Sequence, residues 1–396
     1  MQDFYHKRYS IITGMMFLVL GIFSFIPVNC LFLDPISKAI SDFDVYDIVF
    51  SKLREEPKAD TSIVLVNLGN LSRLEIARQI NIINSFNPKV IAIDAIFQEE
   101  KDPHSDSILS NAFSNCSNLV LVSKLDRYRE DFDTYDTLVS SIEAFNKYAV
   151  NGFANLPNDD NLSFRTIRDF KPVSQCKDKI IPAFSTKIIE IFNQDAYQFL
   201  KSKGNDIEKI NYVGNYSKFY HLDAHQVIPS VQNLNFIKDK IVLIGFIGTD
   251  FRSKTLEDIY FTPLNERFAG KAFPDMYGVV IHANIISMVL NKNYINIMPQ
   301  WMSILLALFL SYLSAYLIYN LKIKYKDWFS GLTKIYILFI TLLNLFIGVM
   351  IFHYFNYRID LTLALAVVVL TNTIVEIYQS YVSKIFPTLE GKIEVK

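Results

Sequence analysis

Three long apolar runs crowd the C-terminal part of the chain, at residues 301–321, 335–357 and 361–382, with only short polar hinges between them. Each is close to the ~20 residues that a helix needs to cross ~30 Å of hydrocarbon. The first carries no charge, the second only His353, and the third only Glu376, ahead of a polar exit at Lys384. A fourth uncharged run, 11–33, follows His6, Lys7 and Arg8. It is longer than a secretory signal core and no small-residue cleavage site follows it, so it reads as an uncleaved anchor. The pattern predicts transmembrane helices at 11–33, 300–321, 335–357 and 361–382, one N-terminal and three C-terminal.

Between the anchors the period changes. Residues 34–60 place Ile36, Ile40, Phe43, Tyr46 and Val49 or Phe50 at roughly helical spacing, an amphipathic helix leading out of the first anchor. Then short continuous apolar stretches alternate with helical ones: strands at 62–66, 89–94 and 119–122, and helices at 72–86 and from about 106 to 116. This order is the mark of parallel strand pairing. Further on, 150–156 and 162–168 flank Pro157-Asn158-Asp159-Asp160-Asn161, whose turn chemistry predicts a β-hairpin. A helix over 183–201, short strands at 209–213 and 240–245, and a helix over 279–290 complete the segment. The fold class expected for 34–299 is an α/β domain with a mixed, partly parallel sheet.

Charge fixes an orientation. The 322–334 hinge holds Lys322, Lys324, Lys326 and Lys334 against Asp327, whereas 353–360 holds Arg358 balanced by Asp360. Lysine and arginine beside membrane helices stay cytoplasmic, so residues 1–10 and the tail 383–396 are expected inside and 34–299 outside, periplasmic or extracellular, on a bacterial inner membrane. Composition agrees: the chain is 51% hydrophobic, with 32 Phe and 22 Tyr among 396 residues, more than one soluble domain needs. A net charge of -1 excludes a basic surface for nucleic acid. Cys30, Cys116 and Cys176 lack the spacing of a metal knuckle or redox pair; Cys116 and Cys176 either pair or stay free.

Several segments, in this order, resemble the CHASE type-two family of sensory extracellular domains associated with cyclases and histidine kinases. Residues 43–53 with Tyr46-Asp47 are similar to its opening helix, and Val90-Ile91-Ala92-Ile93-Asp94 with Ile96-Phe97 to its strand and acidic loop. Gly152-Phe153-Ala154-Asn155, then Asp159 and Arg165, resemble its hairpin; Asn211-Tyr212-Val213-Gly214 and 240–245 fit further blocks. Residues 258–264, Gly278-Val279 and Ile281-His282-Ala283-Asn284 resemble the most specific block, and the closing helices match too. The chain departs where Asn67-Leu68-Gly69-Asn70 replaces an acidic residue after the first strand, and where it stops at Lys396 without a cytoplasmic effector domain. The resemblance implies a sensor that signals through its membrane helices to a separate partner.

The candidate ligand residues are Asp94, Arg165, His282 and Asn284. Asp94 ends a buried strand, where open α/β sheets gather ligands, though capping the next helix is an equal reading. His282 and Asn284 open the last domain helix, where a cap or a buried hydrogen bond serves as well. Glu99, Asp102 and Asp106 form an oxygen-rich loop of the kind that binds hard cations, but their spacing matches no dedicated calcium loop, and no metal or other cofactor is expected. His221, Asp223 and His225 would share a face only if helical. No nucleophile elbow or phosphate loop is present, so the expected role is not enzymatic. In the membrane, Asn344, Asn372 and Glu376 are the candidate coupling residues. The expected partners are the lipid bilayer, other membrane or envelope proteins, and further copies of the chain. The alternative function is a structural or scaffold subunit of a cell-envelope complex.

Overall fold

In the computed structural model, the residues described are 2–24, 44–156, 166–228, 233–251, 255–265, 273–325 and 328–385. In chain order the elements are α1 (Gln2–Ser24), β1 (Asp60–Asn67), α2 (Arg73–Ser85), β2 (Val90–Asp94), α3 (Pro103–Ser114), β3 (Leu119–Arg129), β4 (Thr134–Val139) and β5 (Val150–Phe153). There follow β6 (Asp169–Phe170), β7 (Val173–Cys176), β8 (Lys179–Pro182), α4 (Phe184–Phe192), α5 (Gln194–Lys203), β9 (Glu208–Lys209), β10 (Phe219–Leu222) and β11 (Ile241–Gly245). The chain continues through β12 (Ile259–Tyr260), β13 (Met276–Tyr277), α6 (Gly278–Leu290), β14 (Asn296–Ile297), α7 (Gln300–Lys324), α8 (Phe329–Phe355), β15 (Tyr357–Arg358) and α9 (Thr362–Ile377). It divides into two compact units, Phe50–Ile295 and a second made of Met1–Val49 with Asn296–Lys396.

Unit Phe50–Ile295 is built on a nine-stranded sheet in the order β10-β1-β11-β2-β3-β4-β7-β8, with β5 also on β3. The strand-helix-strand alternation of 60–122 is present as expected. β10, β1, β11, β2 and the first half of β3 run parallel, and β4 turns back antiparallel on the second half of β3. Continuous apolar strands need cover on both faces. Val64, Val66, Ile91, Ile93, Leu119 and Leu121 face α2 and α3. Ile63, Leu65, Val90, Ala92, Val120 and Val122 face α4, α5 and α6. α6 is buried on every side, which explains why its apolar residues show no stripe.

Two expectations for this unit are corrected, and one left open is resolved. Among the described residues the 150–156 strand does not form a hairpin with 166–168: β5 lies parallel on β3, and Thr166 bridges Phe261. The turn at 157–165 lies outside the described residues. The 183–201 helix is two helices, because Asn193 adopts an extended backbone (φ -148, ψ 98) and caps α5 by accepting from the Ala196 N–H at 3.0 Å. Cys116 and Cys176 are free and sit in different apolar clusters.

In the other unit, α7, α8 and the helical stretch Thr362–Ile385 are long and apolar enough to cross a membrane, with mean hydropathies of 1.9, 2.6 and 1.5. They match the three expected C-terminal spans, except that the 322–334 hinge is mostly helical. α7 runs on to Lys324 and α8 starts at Phe329, with the Lys322 ammonium 5.2 Å from the Phe329 ring. The expected first anchor is helical over the part that α1 covers, and 25–33 lie outside the described residues, as do 34–43 of the expected amphipathic helix. From that helix only a short helical stretch around Val49–Leu53 is described. α1, α7 and α9 share a core in which Ala307, Ala315 and Ala364 bring backbones close. Only 17% of the most apolar stretch of α8 is buried, against 39% in α7 and α9, so α8 is the helix most open to lipid.

One loop of this unit, between α8 and α9, gathers two distant segments. The Tyr46 hydroxyl donates to the Ile359 carbonyl at 2.6 Å, and Asp44 pairs with Arg358 at 2.8 Å. β14 lies parallel on β15, with the Asn296 N–H on Asn356 O and the Met298 N–H on Arg358 O, both at 2.9 Å. A Cβ at Gly348 would lie 3.0 Å from the Tyr46 oxygen, so this glycine lets the ring seat.

Candidate ligand site at the carboxyl edge of the sheet

Three neighbouring parallel strands end in one row, Asn67 of β1 opposite Gly245 of β11 opposite Asp94 of β2. Such an edge, with loops leaving toward both faces, is where open α/β sheets hold ligands. The row is built closely against α6. A Cβ on Gly245 would fall 2.8 Å from the Val279 side chain, so glycine is the residue that lets the first turn of α6 seat there.

Asn67, standing where the family pattern has a carboxylate, is buried and works as a brace. Its Oδ1 accepts from the N–H groups of Gly69 and Ile247, at 3.0 and 2.9 Å. Its amide donates to Asp223 Oδ1 and to the Gly248 carbonyl, both at 3.1 Å. The loops after β1, β10 and β11 thus hang on one side chain. Four hydrogen bonds satisfy the amide's capacity, so it has none left for a ligand.

Asp94 is different: it is partly buried and its titration is displaced strongly. Burial, and next the nearby Asp258 carboxylate, push it up to about 8, so it holds a proton at neutral pH. Asp258 sits at the start of α6 in the left-handed region (φ 52), its carbonyl accepting from the Gly278 N–H at 3.1 Å. Its carboxylate oxygens lie 3.2 Å from where a Cβ of Gly278 would be, so a larger residue there would push them back by a few tenths of an ångström. Another buried carboxyl, Asp275 ahead of β13, accepts from Thr262 and Asn265 and is pushed by burial up to about 6. Two neighbouring carboxyls of which one favours its proton offer a constellation for polar ligands bearing N–H or O–H groups or for a cation that displaces the proton.

The other sequence candidates have separate surroundings. His282, one turn into α6, is buried edge-on against Phe184 with ring centroids 5.3 Å apart, and burial lowers it to about 4, so it is neutral. Its Nδ1 has no hydrogen-bond partner among the described residues. Asn284 holds the 211–214 segment: its Oδ1 accepts from Val213 and Gly214 at 2.7 and 3.1 Å, and its amide donates to the Gly214 and Val280 carbonyls at 2.9 and 2.8 Å. Arg165 lies outside the described residues.

Glu99, Asp102 and Asp106 are engaged locally. Asp102 caps α3 through the Ser105 N–H at 2.9 Å, Asp106 pairs with Arg73 and accepts from the Lys101 N–H at 2.8 Å, and the Glu99 carbonyl accepts from Arg73 at 2.6 Å. Among the described residues no three His, Cys, Asp or Glu converge as metal ligands. His221 is on β10 and His225 on the helical turn after it, so the helical face considered for them is not formed. A groove of about 700 Å³ opens beside Asp102 between the starts of α2 and α3, lined by Ser72, Arg73, Phe97 and Ser105, at the same edge of the sheet.

Sequence reasoning missed Asn67 as a brace and Asp258 as a partner of the edge. Their signal was present only as polar residues beside strand ends, since they lie far from Asp94 along the chain. A family model for the CHASE2 domain matches residues 21–316. Comparison with curated proteins gives no match, and neither does comparison with solved structures.

Proposed function

As the chain belongs to the CHASE2 family of sensory extracellular domains and carries membrane-length helices, we propose that it is a non-enzymatic receptor that reads a small polar ligand or an envelope state. The observation that carries this reading is the carboxyl pair Asp94 and Asp258 at the row Asn67–Gly245–Asp94, with Asp94 pushed toward its protonated form. A ligand that prefers one arrangement of this edge shifts the domain between two states by no more than that preference. The membrane helices pass the shift to a separate partner. The uncharged run at 11–33 is read as a fourth span, and the Lys322, Lys324 and Lys334 cluster then supports cytoplasmic termini in a bacterial inner membrane.

Asn344, Asn372 and Glu376 are the residues assigned to the coupling. Asn344 is bonded within α8, to Ile340 O at 2.7 Å, while the Asn372 amide donates to Glu376 Oε1 at 3.1 Å on an exposed part of α9. An ionisable group at membrane depth is costly unless a partner compensates it. Glu376→Gln and Asn372→Ala should therefore reduce partner association while leaving the domain's melting temperature unchanged.

The deciding experiment uses the full-length protein in mild detergent, melted against a panel of metabolites and metal ions. A ligand-dependent rise in Tm that Asp94→Asn removes supports the receptor. Stoichiometric partners that co-purify without any ligand response favour the scaffold reading and overturn this one.

A further inference from the structure

We propose that the groove between α1 and α7 binds an anionic membrane lipid. The groove, about 940 Å³, lies wholly within the membrane unit. Two ridges of α7 form it, each advancing by four residues. Tyr312, Tyr316, Asn320 and Lys324 make a polar ridge, and Phe309, Leu313, Leu317 and Leu321 an apolar one. Residues four apart on a helix stack on one face, so each ridge is continuous. α1 adds Tyr9, whose ring meets Tyr312 and Tyr316 edge-on at 5.9 and 5.4 Å, and His6, whose Nδ1 is 2.5 Å from the Tyr312 hydroxyl.

The occupant follows from chemistry and length. The ammonium of Lys324 is a fixed cation in the lining, and no carboxylate is among the described lining residues, so the groove selects an anion. The apolar ridge advances by roughly 18 Å at ~1.5 Å per residue, about the ~15 Å hydrocarbon depth of one leaflet. Phe309 and Tyr316 are 64% and 46% exposed, so a chain lying on this face gains real contact. A phosphate at Lys324 with an acyl chain along Phe309, Leu313 and Leu317 satisfies both ridges together. Tyrosines, apolar in body and polar at the tip, suit the region between headgroup and chain.

The test is native mass spectrometry of the delipidated full-length protein, titrated with phosphatidylglycerol or with zwitterionic phosphatidylcholine. Phosphatidylglycerol should be retained preferentially. Lys324→Gln should weaken its retention about fivefold, the worth of one lysine near an anionic surface, and Lys324→Arg should preserve it. Leu313→Trp, which fills the apolar ridge, should reduce retention while the melting temperature confirms an intact fold. Equal retention of the two lipids, an unaffected Lys324→Gln variant, displacement of the lipid by inorganic phosphate, or a dimer that excludes lipid from the groove would each overturn the proposal.

Discussion

Asp94 makes the stability of this protein depend on pH in a direction opposite to that of most carboxylates. Its folded-state titration near 8 lies above the unfolded value of ~3.9, so the folded chain binds the extra proton, and stability is lost as pH rises through 8. Asp275, near 6, adds the same sign at lower pH. His282, held near 4 against ~6.5 unfolded, has the opposite sign, costing stability as pH falls below 6.5. Among these displaced groups, Asp94 governs the window between pH 6.5 and 8. The melting temperature in detergent should fall across that window, with a slope no steeper than about 1.4 kcal/mol per pH unit, and Asp94→Asn should flatten it. A profile unaltered by Asp94→Asn would refute the assignment. Asn284→Ala tests a different kind of residue. Its loss strands two buried N–H groups, those of Val213 and Gly214, and should destabilise by about 2–4 kcal/mol, measured as a drop in melting temperature. Asp94 was legible in the sequence because it ends a strand. The bracing of Asn284 was not, because its partners lie about seventy positions away and a helix-start asparagine looks the same whether it caps, braces or binds.

At the scale of elements, the fold was legible where periodicity and flanking punctuation agreed. Ser72 and Glu75 form a reciprocal cap at the start of α2, which begins where the sequence predicts, whereas α3 starts at Pro103 on the Asp102 cap, inside the stretch expected to be polar loop as far as Asp106. What failed was pairing. Val150 to Leu156 reads as half of a hairpin because a turn sequence follows it, but β5 is claimed by β3 through four residue pairs that local sequence does not encode. The price of that pairing is close packing on α4. A Cβ at Gly152 would lie 2.6 Å from the Phe184 Cα, a backbone atom that cannot rotate aside. Gly152→Ala should therefore destabilise the domain by about 1–3 kcal/mol or more, whereas Gly204→Ala, with no atom within 4 Å but at φ +64, should cost only its backbone strain. Equal melting temperatures for the two variants would contradict this.

At the scale of the whole molecule, the apolar runs announced the three membrane-length helices, within three residues at every end except the start of α8, which lies six residues earlier, since length and hydropathy alone decide such segments. They did not announce how the helices serve the domain. The loop between α8 and α9 holds both Asp44-to-Tyr46 and β14, so the segments flanking Phe50–Ile295 are fastened to the same few residues. In the language of protein engineering, the domain is then a cassette: its two junctions adjoin inside a unit that has its own core. Replacing residues 50–295 with a short glycine-serine linker should leave a helical membrane protein that stays monodisperse in detergent and retains the Tyr46–Ile359 clasp. By the same logic, a foreign domain with adjacent termini could be installed at those junctions and inherit whatever output the helices provide.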